Sequence, residues 1–313
     1  MSSLSMIVQA LVPVAFVIIL GLLAGRLGLV KSTQSAVLAT LALDFCLPAL
    51  LFTATAKLTL PELENWQFFV GIAAGLLSVY LIALAISLVA FRKPVAASAL
   101  QALNSAFPNM AFMGVPVLIA VIGTSAMLSV VIGNLISSFL LLPLTLTLLE
   151  AGKPRQKDAS RGAVIWTSVL GAIKQPLVWA PLAGIAFALI QFPLPEFVAK
   201  SFNLIGVATS GVALFALGLV LSGQKFSIGW AALLNVFCKV ALQPAVMLGF
   251  AVLFNVVGVY RREMILLAAL PTASMTAMFA VEYDVYVAES DATILLSTII
   301  SIATLGILIG VTA

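Results

Sequence analysis

The chain has 313 residues, of which 63% are hydrophobic and only 8% charged, with a mean hydropathy of +1.24. That composition excludes a water-soluble globular domain, because too few charged side chains remain to clothe a surface. The formal net charge of +4 is no nucleic-acid signature either, since the basic residues sit in short connections between apolar runs.

Apolar runs about 20 residues long recur along the whole sequence and predict an all-α polytopic membrane protein. Ten spans are expected, at roughly 7–25, 35–56, 66–91, 95–122, 127–149, 175–191, 201–222, 229–255, 263–281 and 291–312. Residues 1–25 lack a basic start and a small-residue cleavage site, so they read as the first span rather than a signal peptide. The second span carries Asp44, four residues before Pro48. A charge inside the bilayer costs at least about 2.5–3.5 kcal/mol on insertion scales, which makes Asp44 a candidate for proton coupling. A silent pairing with a neighbouring helix is the competing explanation.

The fourth span contains Asn104-Ser-Ala-Phe-Pro-Asn-Met-Ala-Phe-Met-Gly-Val-Pro-Val-Leu118, with two asparagines, a serine and two prolines where leucine would suit lipid. Pro108 has no N–H and clashes with the preceding turn, so a helix entering at Val95 should stop near Ala106. Asn109 is then placed to cap a second half-helix from Met110. Broken backbone at that depth survives only where protein lines a cavity. The positive end of the half-helix would face the midplane and suit an anion, as in secondary transporters. A merely kinked helix with bridging asparagines is the plainer reading, which the cluster Asn-x-x-x-Pro-Asn followed by Gly114-Val115-Pro116 disfavours.

The basic loop at 151–174 divides the spans five and five, giving a first half at 1–150 and a second at 175–313. An odd number of spans per half turns the second upside down, an inverted repeat. Short matches support it. Pro13 and Pro176 begin equivalent spans, Leu51-Phe52 recurs as Leu214-Phe215, and Ala102–Ala106 aligns with Ala269–Ala273. The odd-numbered loops hold ten basic residues, among them Lys153, Arg155, Lys157, Arg161 and Lys225, against four in the even loops. This bias puts both termini outside. Lys239, within the eighth span and five residues before Pro244, is the second intramembrane charge. It is read as offsetting an anionic substrate, pairing with Asp44, or standing where a coupling cation would bind; snorkelling is the alternative. In the ninth span, Pro271-Thr272-Ala273-Ser274-Met275-Thr276 predicts a second interruption opposite the first.

Phe107-Pro108-Asn109 through Gly114-Val115-Pro116 resembles the crossover signature of the auxin efflux carrier family, which includes plant PIN-FORMED proteins and bacterial relatives. Gln175–Pro181 and Ser210–Phe215 are also similar to stretches of bacterial members, and Asp44–Phe52 looks most like the malonate-carrier branch. The resemblance covers essentially the whole chain. It implies ten helices in two inverted repeats with crossed broken helices, a fold shared with bile-acid symporters and sodium–proton antiporters. It implies a substrate carboxylate beside the crossing, carried over to Asn104, Ser105, Pro108 and Asn109, and to Pro271, Thr272 and Ser274. It further implies a homodimer, with spans one, two, six and seven as scaffold and the others moving against it.

The expectation is a secondary carrier for a small carboxylate anion such as malonate, in a bacterial inner membrane, with a proton as candidate coupling ion and no cofactor. An anion channel on the same helices and an intramembrane enzyme are the rivals. The chain has no histidine and no GxxxxGK[ST] sequence, so His-based relays and a nucleotide-hydrolysing P-loop are excluded. Glu282, Asp284, Glu289 and Asp291 read as a solvated face rather than a metal site. Cys46 and Cys238 read as apolar fillers.

Overall fold

The computed structural model describes residues 3–152, 173–191, 194–223 and 229–312, with a few positions between 166 and 171. The basic loop residues Lys153, Arg155, Lys157 and Arg161, and Lys225, lie outside the described residues. Among the described residues the regular structure is helical and no strand forms.

The helices are α1 (Ser3–Arg26), α2 (Ser35–Thr55), α3 (Trp66–Ala85), α4 (Val95–Ala106), α5 (Met110–Val121), α6 (Thr124–Ala151), α7 (Pro176–Leu189), α8 (Glu196–Gly223), α9 (Trp230–Leu253), α10 (Gly258–Ala268), α11 (Met275–Glu282) and α12 (Val287–Val311). Among the described residues six stretches are long and apolar enough to cross a membrane: α2, the Leu60–Ala90 stretch containing α3, α6, α8, α9 and α12. Large apolar side chains cover the outside, including Trp230 at 86% and Leu204 at 80% exposure. An apolar exterior of this kind requires lipid as its solvent.

Proline shapes these helices. Four π-wound turns, Leu41–Cys46, Met110–Gly114, Ser137–Leu141 and Cys238–Leu242, each end two residues before a proline, at Pro48, Pro116, Pro143 and Pro244. A proline ring pushes against the carbonyl four residues earlier and offers no donor, and a widened turn absorbs both defects without breaking the helix.

Packing falls into two groups. α1 lies along Ala208–Gly223 of α8, and α2 packs on α7 and α8. The α1–α8 contact is backbone against backbone, since a Cβ on Gly218 would sit 2.1 Å from the Ile18 carbonyl oxygen. Small residues permit that approach in a membrane helix pair. The second group is built on α3, which packs on α4 and α9, with α4 on α6, α9 on α10 and α12, and α11 on α12. This group contains the two interruptions.

Candidate functional site

α4 ends at Ala106 and α5 begins at Met110, while α10 ends at Ala268 and α11 begins at Met275, so both expected breaks are present. The two broken segments meet. Pro108 pairs with Thr272 in an isolated antiparallel bridge. The Asn109 amide donates to the Pro271 carbonyl at 2.8 Å, and the Ala273 amide donates to the Phe107 carbonyl at 2.9 Å. The bridge uses only the flanking residues' donors, so neither proline is asked for the N–H it lacks.

Side chains lock this meeting. The Thr272 hydroxyl donates to the Asn104 carbonyl at 2.7 Å, and the Thr276 hydroxyl to Asn104 Oδ1 at 2.9 Å. Asn104 Nδ2 donates to the Leu100 carbonyl and Ser290 Oγ, and the Thr272 amide donates to Ser297 Oγ at 3.1 Å. Asn109 Oδ1 accepts from the Phe112 amide at 3.3 Å, the expected cap of the second half-helix. Asn104, Ser105, Pro108, Asn109, Pro271 and Thr272 are all buried, and Ser274 is half-buried. Two donors remain. Asn109 Nδ2 and Ser274 Oγ are buried and have no hydrogen-bond partner among the described residues.

The opposite ends of the half-helices are neutralised by α9. Lys239 Nζ donates to the Ala268 carbonyl at 2.8 Å, at the end of α10, and Gln243 Nε2 donates to the Ala106 carbonyl at 2.7 Å, at the end of α4. Lys239 also donates to Gln243 Oε1, one turn along. Lys239 is fully buried, so the snorkelling alternative does not hold. Its ammonium stands at the negative end of a helix dipole, where a cation is favoured. Positive half-helix ends with spare donors and negative ends with a fixed cation therefore converge on one place.

A polar seam runs from this meeting toward the loops at Lys93 and Tyr286. Ser105 Oγ donates to Asn235 Oδ1 at 3.4 Å, and Asn235 Nδ2 donates to Thr293 Oγ1 at 3.0 Å and to the Tyr286 hydroxyl at 3.3 Å. Tyr286 donates to Gln101 Oε1, which also accepts from Lys93 Nζ at 3.0 Å. Sequence reasoning missed Gln101, Asn235, Gln243, Ser290, Thr293 and Ser297. A signal existed: Ser290, Thr293 and Ser297 recur at helical spacing on one face of an otherwise apolar helix.

The structure does not bring Asp44 into the site. Its side chain is exposed, in a turn that packs on α7 and α8. Nor does it pair with Lys239, whose partners are Gln243 and Ala268. Asp44 is exposed and shares no hydrogen bond with the residues of the crossing. Among the described residues no group of His, Cys, Asp or Glu is assembled to hold a metal. A cavity of about 690 Å³ lies between α9, α10 and α12, lined by Pro244, Arg261 and Thr304, and does not include the meeting of the broken segments.

A family model described as membrane transport protein matches residues 6–309. The chain is 27% identical over 306 residues to the uncharacterized transporter YfdV of Escherichia coli, covering 95% of this chain and 94% of that protein. It is 27% identical over 297 residues to a candidate malonate transporter of Rhizobium meliloti, covering 92% and 90% of the two. To auxin efflux carrier component 8 of Arabidopsis thaliana it is 28% identical over 156 residues, covering 44% and 42%.

Proposed function

Because this chain belongs to the membrane transport protein family, that of the auxin efflux carriers, we propose that it is a secondary carrier for a small carboxylate anion. One observation carries the proposal: Asn109 Nδ2 and Ser274 Oγ are unpartnered at the positive ends of two half-helices that meet in a buried bridge. Each buried donor without an acceptor costs about 1–3 kcal/mol, and a carboxylate accepting from both recovers that cost. A short dicarboxylate of the malonate type is the substrate class, supported by the relative in Rhizobium meliloti and by the Asp44–Phe52 stretch.

In this reading the chain forms ten spans in two inverted halves, 1–150 and 175–313, with the basic loop at 151–174 in the cytoplasm. Both termini face outward from the bacterial inner membrane, and two copies associate through the scaffold. The carrier works by alternating access, not by an enzymatic reaction. Burial of the whole bridge supports a gated carrier over an open channel. Asn104 and Thr272 hold the bridge in shape, and Asn109 and Ser274 meet the carboxylate. Lys239 balances the site's charge from behind. With Asp44 exposed, the anion moves down its own gradient and the membrane potential. A pH profile of uptake that flattens in Asp44→Asn would reinstate proton coupling at that residue.

The test is a thermal-shift titration of purified protein against short mono- and dicarboxylates, repeated on Asn109→Ala. The variant should fold and bind the best ligand at least about tenfold more weakly, as expected for a lost charge-assisted hydrogen bond. Unchanged affinity refutes the assignment.

A further inference from the structure

We infer that Lys93, Gln101 and Tyr286 form a second carboxylate-holding station, the mouth through which the anion reaches the crossing; this rests on the carrier reading above. The orientation of the Gln101 amide is settled by its neighbours. Its carbonyl oxygen faces two donors, the Lys93 ammonium at 3.0 Å and the Tyr286 hydroxyl at 3.3 Å. The amide nitrogen therefore points the other way, and there Nε2 is buried without a hydrogen-bond partner. Gln101 itself is fully buried, whereas Lys93 is half-buried and reachable from outside.

Lys93 is a cation with capacity to spare. It lies 4.8 Å from the Tyr286 ring centre and 5.8 Å from that of Phe91, contacts that orient an ammonium without neutralising it. Glu289 acts on it through space, yet the two form no ion pair. A mobile carboxylate is the acceptor this ammonium lacks, and Gln101 Nε2, facing the other way, is the next unpaired donor along the seam. Arg92 and Tyr286 adopt left-handed backbone angles, φ 49° and 61°, which non-glycine residues hold only where the surroundings impose them.

The station connects to the crossing. Asn104 and Ser105 lie three and four residues after Gln101 and share one face of α4 with it, and the helix ends at Ala106 just before Pro108. From Gln101 to Ser105 is about 6 Å along the helix axis. Asn235 bridges the two levels by bonding both Tyr286 and Ser105. A carboxylate leaving the Lys93 ammonium thus meets polar groups all the way down, and the pull toward the unpaired donors of Asn109 and Ser274 completes the descent.

Acylation of lysines by a water-soluble ester, read by mass spectrometry on the full chain in detergent, tests the station apart from the crossing. Malonate is the probe, with Lys31 and Lys57 as internal controls and potassium chloride matched for ionic strength. Malonate should slow labelling of Lys93 about tenfold in the wild type and equally in Asn109→Ala, and much less in Gln101→Leu. In liposomes, Lys93→Gln should raise the half-saturating malonate concentration on the Lys93 face alone, and Lys93→Arg should restore it. Absence of protection, equal protection by chloride, or an equal shift on both faces overturns the station. Protection of Lys93 in a protein that transports no carboxylate would leave the station standing and sink the carrier reading.

Discussion

At the scale of single residues, the two basic side chains near the site serve opposite ends of a trade between stability and use. Lys239 is fully enclosed and held by a carbonyl and an amide oxygen, the arrangement that makes a buried ammonium tolerable. Lys93 is held less well. Burial pulls its ammonium below the usual lysine range, and the opposing pull of Glu289 is smaller. The folded chain therefore binds that proton less tightly than the unfolded chain does. The charged side chain lowers stability wherever both states are protonated, and the penalty fades as pH climbs toward the ordinary lysine value of about 10.4. Lys93→Gln should melt at or above the wild-type temperature near neutral pH, with the gap closing at alkaline pH. A variant that melts clearly lower at neutral pH would mean the ammonium is kept for the fold and not for a ligand.

At the scale of helices, the widened turns decide where the ionisable residues point. Lys239 lies inside the π-wound turn Cys238–Leu242 ahead of Pro244, and Asp44 inside Leu41–Cys46 ahead of Pro48. Removing the extra residue that a π-wound turn accommodates rotates what precedes it by about 100°. Pro244→Ala lets the turn relax to regular helix, which swings Lys239 away from the Ala268 carbonyl. The variant should melt lower, because the buried ammonium loses its carbonyl partner, and should lose about tenfold in malonate affinity, measured by titration. Affinity at the wild-type level would show that Pro244 does not set the lysine's direction. The interruptions themselves were legible, because Pro108 and Pro271 deny the backbone a donor wherever they sit. Asn109 was legible as a cap for the same local reason. Gln243 and Asn235 were not, since their value lies in carbonyls and hydroxyls brought from 51 to 137 residues away. The exposure of Asp44 was not legible either, because a position inside an apolar run does not tell which side of the helix a side chain takes.

At the scale of the whole molecule, the bridge between Pro108 and Thr272 ties the two broken segments into one body, and the proposed carrier needs a surface for that body to slide on. The scaffold proposed for spans one, two, six and seven corresponds to α1, α2, α7 and α8, and these pack on one another. Where α1 faces α12, the contact is lined by Leu11, Val12, Ala15, Ile302, Ala303 and Gly306, around a cavity of about 460 Å³. Apolar side chains with spare room between them slide at little cost, because no hydrogen bond has to break. If alternating access works by relative motion of these two groups, fixing α1 to α12 must stop it. Cysteines placed at Ala15 and Ala303, with Cys46 and Cys238 replaced by alanine, can be joined by a reagent whose linker a reductant cleaves. Malonate uptake into liposomes should fall to background on cross-linking and return on reduction, while malonate binding to the cross-linked protein persists. Binding persists because the donors at Asn109 and Ser274 belong to the moving body alone and are untouched by the link. Full uptake through completely cross-linked protein would mean that the anion passes without the two groups moving, and the carrier would have to be redrawn as a channel.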